Sequence, residues 1–328
     1  MAPIMWLLRF LALLVAALGG LAAAWAPTLV ALTPAPSLER QVNAAIQRGI
    51  DKLRAAQRPD GSFGGLERPP PGGYPMGYTA LVTYALLKSG VATTDPVVKA
   101  ALDHLAGLPL LKTYSVSSYA LALDAGDDPS APERLHQIAL WLEQNLDERT
   151  SLWGYPDGSP ELSNTQFAVM ALAAAARHGH RTPPKFWTEV IDGALERQND
   201  TGGFYYRSDS MPETSGSMTT AGITTLHVAR QALASERRYD GPQRKAAAGI
   251  ERALAWLDAR FSTTGNPIGD QGILRDRYPA YGAHNYHYYF LYGIERVAAL
   301  LDRREFGGLP WYRQGAHELL AHESEKGG

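Results

Sequence analysis

The sequence has no cysteine among its 328 residues. Disulfides, thiolate metal sites and cysteine nucleophiles are therefore excluded. It also lacks an excess of either charge: 31 Lys+Arg stand against 33 Asp+Glu, a formal net charge of -2. No basic stripe fits nucleic acid and no acidic block forms a tail, so no nucleic-acid partner is expected. No P-loop, GxGxxG or GxSxG segment is present. Strand-like alternation is missing as well. With 45% hydrophobic residues, the chain is long enough for a substantial core.

What is present begins with a long apolar run. MAPIMWLLRF carries one basic residue, Arg9, and LALLVAALGGLAAAWA follows to Ala26. The pattern reads as a signal peptide or an N-terminal membrane anchor over residues 1–26, with Ala22-x-Ala24 as a cleavage pattern. Phe10 to Leu32 is long enough to span a bilayer, so membrane contact through residues 1–32 and export are expected. Residues 27–37 read as a linker, 38–322 as the folded domain and 323–328 as a tail.

From Leu38 onward apolar residues recur at three and four. The spacing predicts helices over 38–56, 78–88, 96–106, 115–123, 132–146, 164–176, 184–197, 218–233, 244–261, 284–301 and 311–320. They alternate between two kinds. One is amphipathic and charged, as in 38–56, 132–146, 184–197 and 244–261. The other carries almost no charge: YTALVTYALL, SVSSYALAL, NTQFAVMALAAAA and MTTAGITTLHVA. A helix apolar all round is buried all round. The alternation predicts an all-α fold, an α/α toroid of about five to six helix hairpins with uncharged helices inside and charged helices outside.

Two short stretches mark the repeat. QRPDGSF and QNDTGGF place Gln57, Gly61 and Phe63 at the same offsets as Gln198, Gly202 and Phe204. A degenerate copy lies at Trp153-Gly154-Tyr155. Each glutamine falls in the last turn of a charged helix, where carbonyls lack partners. Its amide is expected to tie that end to a neighbouring backbone, with glycine permitting the reversal and the aromatic covering the junction.

These stretches resemble the QW repeats of squalene-hopene cyclases and related terpenoid cyclases, a superfamily shared with protein prenyltransferase β subunits. SNTQFAVMAL, SGSMTTAGITTL and YHYYFLYGIERVAAL are similar to inner-helix starts of exported bacterial squalene-cyclase-like proteins. The resemblance covers most of Leu38 to His322. It implies a toroid whose central cavity takes a small apolar, isoprenoid-class ligand. The chain departs from the family's enzymes in two respects. The acidic DxDD motif is absent, the comparable starts reading LSNTQ and SGSMTT with no carboxylate. The zinc site of the prenyltransferases needs a cysteine. No metal and no cofactor are expected.

The densest polar stretch is GDQGILRDRYPAYGAHNYHYY, residues 269–289. Its candidate catalytic residues are Asp276, Asn285, His287 and Tyr288, with Tyr281 and His284 as ligand contacts. Helical spacing puts His284, His287, Tyr288 and Leu291 on one face, expected to look into the cavity. A second cluster offers Tyr205, Arg207 and Thr219, with Asn164 as a further ligand contact; Ser and Thr before an apolar run also serve as helix caps. DAGDD at Asp124–Asp128 reads as a solvated turn. HELLAH at His317–His322 has the wrong spacing for a zinc-binding helix. Two other functions fit these residues: a polysaccharide lyase or hydrolase acting on a glycan through Asn285, His287, Tyr288 and Arg277, or a noncatalytic module that binds a protein partner.

Overall fold

The structure, a computed structural model, describes residues 36–64, 75–155, 158–207, 211–269 and 286–325. The expected leader, and the bulk of the linker with it, lies outside them. Among the described residues no helix is long and apolar enough to cross a membrane. The chain divides into two compact units, Met1–Ser37 and Leu38–Gly328; the second is described here.

That unit is all but entirely helical. Its helices are α1 (Leu38–Ala55), α2 (Pro75–Lys88), α3 (Pro96–Ala106), α4 (Thr113–Ala125), α5 (Ala131–Gln144) and α6 (Leu162–Arg177). Then come α7 (Pro184–Leu195), α8 (Gly216–Ala232), α9 (Asp240–Asp258), α10 (His287–Leu301) and α11 (Trp311–Glu325). Start signals are local. Asp95 accepts from Val97 N at 3.0 Å with Pro96 in the first turn of α3, and Ser215 accepts from Met218 N at 3.2 Å to open α8. Helix α11 runs to Glu325, three residues beyond the domain end expected from the sequence.

Two short hairpins interrupt the helices: β1 (Phe204–Arg207) with β2 (Met211–Ser215), and β3 (Glu305–Phe306) with β4 (Leu309–Pro310). The sequence reading contained no strand. With two to five residues each, these strands are too short for an alternating pattern to emerge.

Burial separates the helices by charge. Every residue of α4 from Ser115 to Leu123 is buried, as is every residue of α8 from Gly216 to Ala229. A helix without a polar face has no side to offer water. In α9, by contrast, only Ala246, Gly249, Ile250, Ala253, Trp256 and Leu257 are buried, one stripe of an amphipathic helix. The uncharged helices pack in succession, α2 on α4, α4 on α6, α6 on α8 and α8 on α10. Tyr84 (α2) and Tyr292 (α10) interact electrostatically across the two helices. Outside this series α3 packs on α2, α5 on α4 and α6, and α7 and α9 on α8. Helix α11 contacts both α10 and α1, where Arg48 and Glu323 make a bidentate pair at 2.8 and 2.9 Å.

The repeated closures are superimposable in their bonding. Gln57 Nε2 donates to Gly61 O (3.1 Å) and to Val97 O on the next charged helix (2.8 Å). Gln198 Nε2 donates to Gly202 O (3.0 Å) and to Gly249 O (2.8 Å). The aromatic that follows sends its N–H to a threonine on the adjoining uncharged helix, Phe63 to Thr79 and Phe204 to Thr219, both at 3.1 Å. Trp153 does the same to Thr165 at 3.1 Å. In this third copy Asp147 and Ser151 occupy the offsets of the glutamine and glycine. Ser151 keeps the left-handed backbone (φ 54) of Gly61 (φ 83) and Gly202 (φ 99).

Candidate ligand cavity

A cavity of about 910 Å³ receives side chains from five helices: Tyr84 and Lys88 of α2, Leu121 and Asp124 of α4, Met170 and Ala173 of α6, His227 and Val228 of α8, Arg296 and Leu300 of α10. These residues all sit in the second halves of their helices, so the cavity lies toward the helix C-termini. The wall is apolar along Leu121, Met170, Ala173 and Val228. Its rim is polar, with Lys88, Arg177, Arg181 and Gln231 exposed. There Arg177 pairs with Asp124 at 2.5 Å, while Asp128 at the end of DAGDD holds a turn by accepting from Ser130 N and Oγ at 2.8 Å.

A polar chain runs inward from Arg296. Its Nη1 donates to Gln166 Oε1 at 2.8 Å, and Gln166 Nε2 donates to the Tyr289 phenol. Tyr289 also hydrogen-bonds Ser163, whose Oγ donates to the Glu161 carboxylate at 2.7 Å. Glu161, fully buried, caps α6: it accepts from Ser163 N (3.3 Å), Asn164 N (3.1 Å) and the Asn164 side-chain amide. The Arg296 guanidinium lies 4.1 Å from the Tyr292 ring centroid and 5.2 Å from that of Phe167. Tyr114 packs on Phe167 at 4.1 Å.

Burial raises the phenols of Tyr84, Tyr114 and Tyr289 above their ordinary value, desolvation being the largest cause in each. All three stay protonated at neutral pH. His227, nearly buried, is pushed down by burial and then by Arg230. The sign of the phenol shift sets an alkaline limit. A raised folded value contributes stability that is whole below the unfolded value near pH 10 and is lost as pH rises through the folded one. Tyr114→Phe is expected to make the fall in stability between about pH 10 and about pH 12 shallower than in wild type, read by urea titration across that range.

The described residues among those predicted from the sequence do not line this cavity. His287 is buried at the start of α10, its Nε2 2.6 Å from Thr263 O, its ring stacked on Tyr288 and edge-on to His322 at 6.1 Å. Tyr288 is half exposed in a separate groove beside α1 and α11. Tyr288 and Leu291 of the face expected to look into the cavity thus line the groove beside α11, as does Tyr292, while Arg296 lines the inner cavity and Tyr289 bonds to Gln166. Thr219 is buried in the closure, bonded to Phe204 N and Ser215 O, and serves the fold. Tyr205 is partly buried on β1, paired with Thr214. Arg207 ends β1 opposite Met211. Asp276, Tyr281, His284 and Asn285 lie outside the described residues, as does Arg277. Asn164 belongs to the inner network through Glu161. The start of α6 does carry a carboxylate, contrary to the reading of LSNTQ: Glu161 stands one residue before that string. Among the described residues no group of three or more His, Asp or Glu is arranged to hold a metal ion.

The chain matches no protein-family model and no curated protein.

Proposed function

We propose that Leu38–Glu325 forms an α/α toroid of the squalene-cyclase-like kind, exported through its N-terminal segment, which binds an amphipathic ligand with an apolar chain in its central cavity. The observation that carries the reading is one cavity to which α2, α4, α6, α8 and α10 all contribute. Its volume falls within the range of small-molecule sites. The succession of packed helices and the Arg48–Glu323 pair support a closed ring. The paired Gln-Gly-Phe closures support the likeness to terpenoid-cyclase repeats.

The reading is one of binding. The chamber offers protonated phenols and a guanidinium, groups that hold an acceptor. Glu161, the carboxylate nearest the family's acid position, is engaged by donors on both oxygens. Of the lyase set drawn from the sequence, His287 and Tyr288 do not line this cavity, and Asn285 and Arg277 lie outside the described residues.

Solvent extraction and mass spectrometry of the purified chain test the proposal. Wild type is expected to release a long-chain molecule. Ala173→Trp, which fills the wall with an indole, is expected to release at least about tenfold less at equal stability. Clean wild-type protein from several hosts contradicts a resident ligand.

A further inference from the structure

We infer that Arg296 is the head-group site for a long-chain ligand that ends in a carboxylate; this rests on the cavity reading above. Arg296 is only 9% exposed, yet none of the ion pairs among the described residues includes it. Its Nη1 is used on a neutral amide, that of Gln166. Its Nη2 is buried and has no hydrogen-bond partner among the described residues. The rings of Tyr292 and Phe167 attract the cation but do not neutralise it. A buried guanidinium without a counter-anion is costly, by several kcal/mol per ion. The same side chain lines the cavity.

The neighbouring acids do not meet this need. Glu161 is committed to Ser163 and Asn164. Glu295 is exposed and lines the groove on the other side of α10. Tyr84 lines the cavity beside Arg296 and interacts with it electrostatically. The unpartnered guanidinium nitrogen suits a carboxylate oxygen, and a single cation matches a monoanion. The apolar wall of Leu121, Met170 and Val228 then takes the chain. The rim cations contribute little selectivity, since Lys88 is exposed and Arg177 already has Asp124.

Calorimetric titration of the full chain with dodecanoate and with 1-dodecanol separates head from tail. Dodecanoate is expected to bind at least about tenfold tighter, a gap that Arg296→Gln abolishes while leaving dodecanol binding unchanged. Arg296→Lys, which keeps the charge, is expected to retain part of the gap, and the wild-type gap stands as a test if the glutamine variant does not fold. Equal binding of the two probes to wild type overturns the head-group site and leaves the cavity reading intact. Binding of neither overturns both. Tighter binding of an oligogalacturonate than of dodecanoate overturns the long-chain ligand in favour of an acidic glycan.

Discussion

Gly202→Ala is expected to cost at least about 3 kcal/mol of stability, several times the cost of the same change at Gly90. Both glycines are left-handed, at φ 99 and φ 88. They differ in surroundings. A Cβ on Gly202 would stand 2.3 Å from the carbonyl oxygen of Arg252 on α9, whereas a Cβ on Gly90 meets nothing within 4 Å. Gly90→Ala therefore reports backbone strain alone, on the order of 1 kcal/mol. Gly202→Ala adds displacement of one backbone from another, which cannot be relieved by turning a side chain. Displacing α9 also stretches the Gln198–Gly249 bond that pins the same junction. Gly61→Ala should match Gly202→Ala, because its Cβ would meet Ala100 O at the same 2.3 Å. Urea denaturation of the three variants measures the difference. Equal losses at Gly90 and Gly202 would mean that the closure does not bring the helices together.

The second large effect belongs to Glu161. Glu161→Ala is expected to destabilise by about 3 to 5 kcal/mol, against about 1 kcal/mol for Ser215→Ala. Each residue caps an uncharged helix. Ser215 accepts one backbone bond there, from Met218 N. Glu161 accepts from two backbone N–H groups and two side chains in a site with no water-accessible surface. Its removal leaves the Asn164 amide buried without an acceptor, and the unmade bond costs more than the made one contributes. The loss should extend to ligand binding, since Ser163 leads through Tyr289 and Gln166 to Arg296. Thermal unfolding with the two variants side by side decides the matter; similar shifts would show that the network is not coupled.

The helical plan was legible because periodicity reports it directly, and all eleven helices lie where spacing places them to within a few residues. The glutamine closures were legible because two copies share offsets. The inner site was not. Spacing on α10 groups His287 with Tyr288 and groups Tyr289 with Tyr292 and Arg296, but it does not say which group turns inward. The face richer in histidine was chosen, and it is the outer one. A signal was present: Arg296 is a charge one turn from Tyr292 on a largely apolar helix, and Gln166 is a polar residue in the apolar run of α6. Glu161 was hidden by a boundary. Starting α6 at Asn164 rather than Leu162 leaves the acid in the loop, and glutamate is not among the preferred caps. The mixed character of the cavity wall was beyond reach for a related reason: residues such as Asp124 and His227 meet only when five helices are brought together.

The absence of native cysteine makes ring closure directly measurable. Arg48 and Glu323 are 275 positions apart in sequence and hydrogen-bonded across α1 and α11. In the variant Arg48→Cys, Glu323→Cys, a short bismaleimide is expected to join the two thiols within one native molecule and to shift its mobility on a denaturing gel. The link should vanish when the reagent is added in urea. Native protein that reacts at both sites without an intramolecular link would show that the last helix does not return to the first, and the closed-ring reading would go with it.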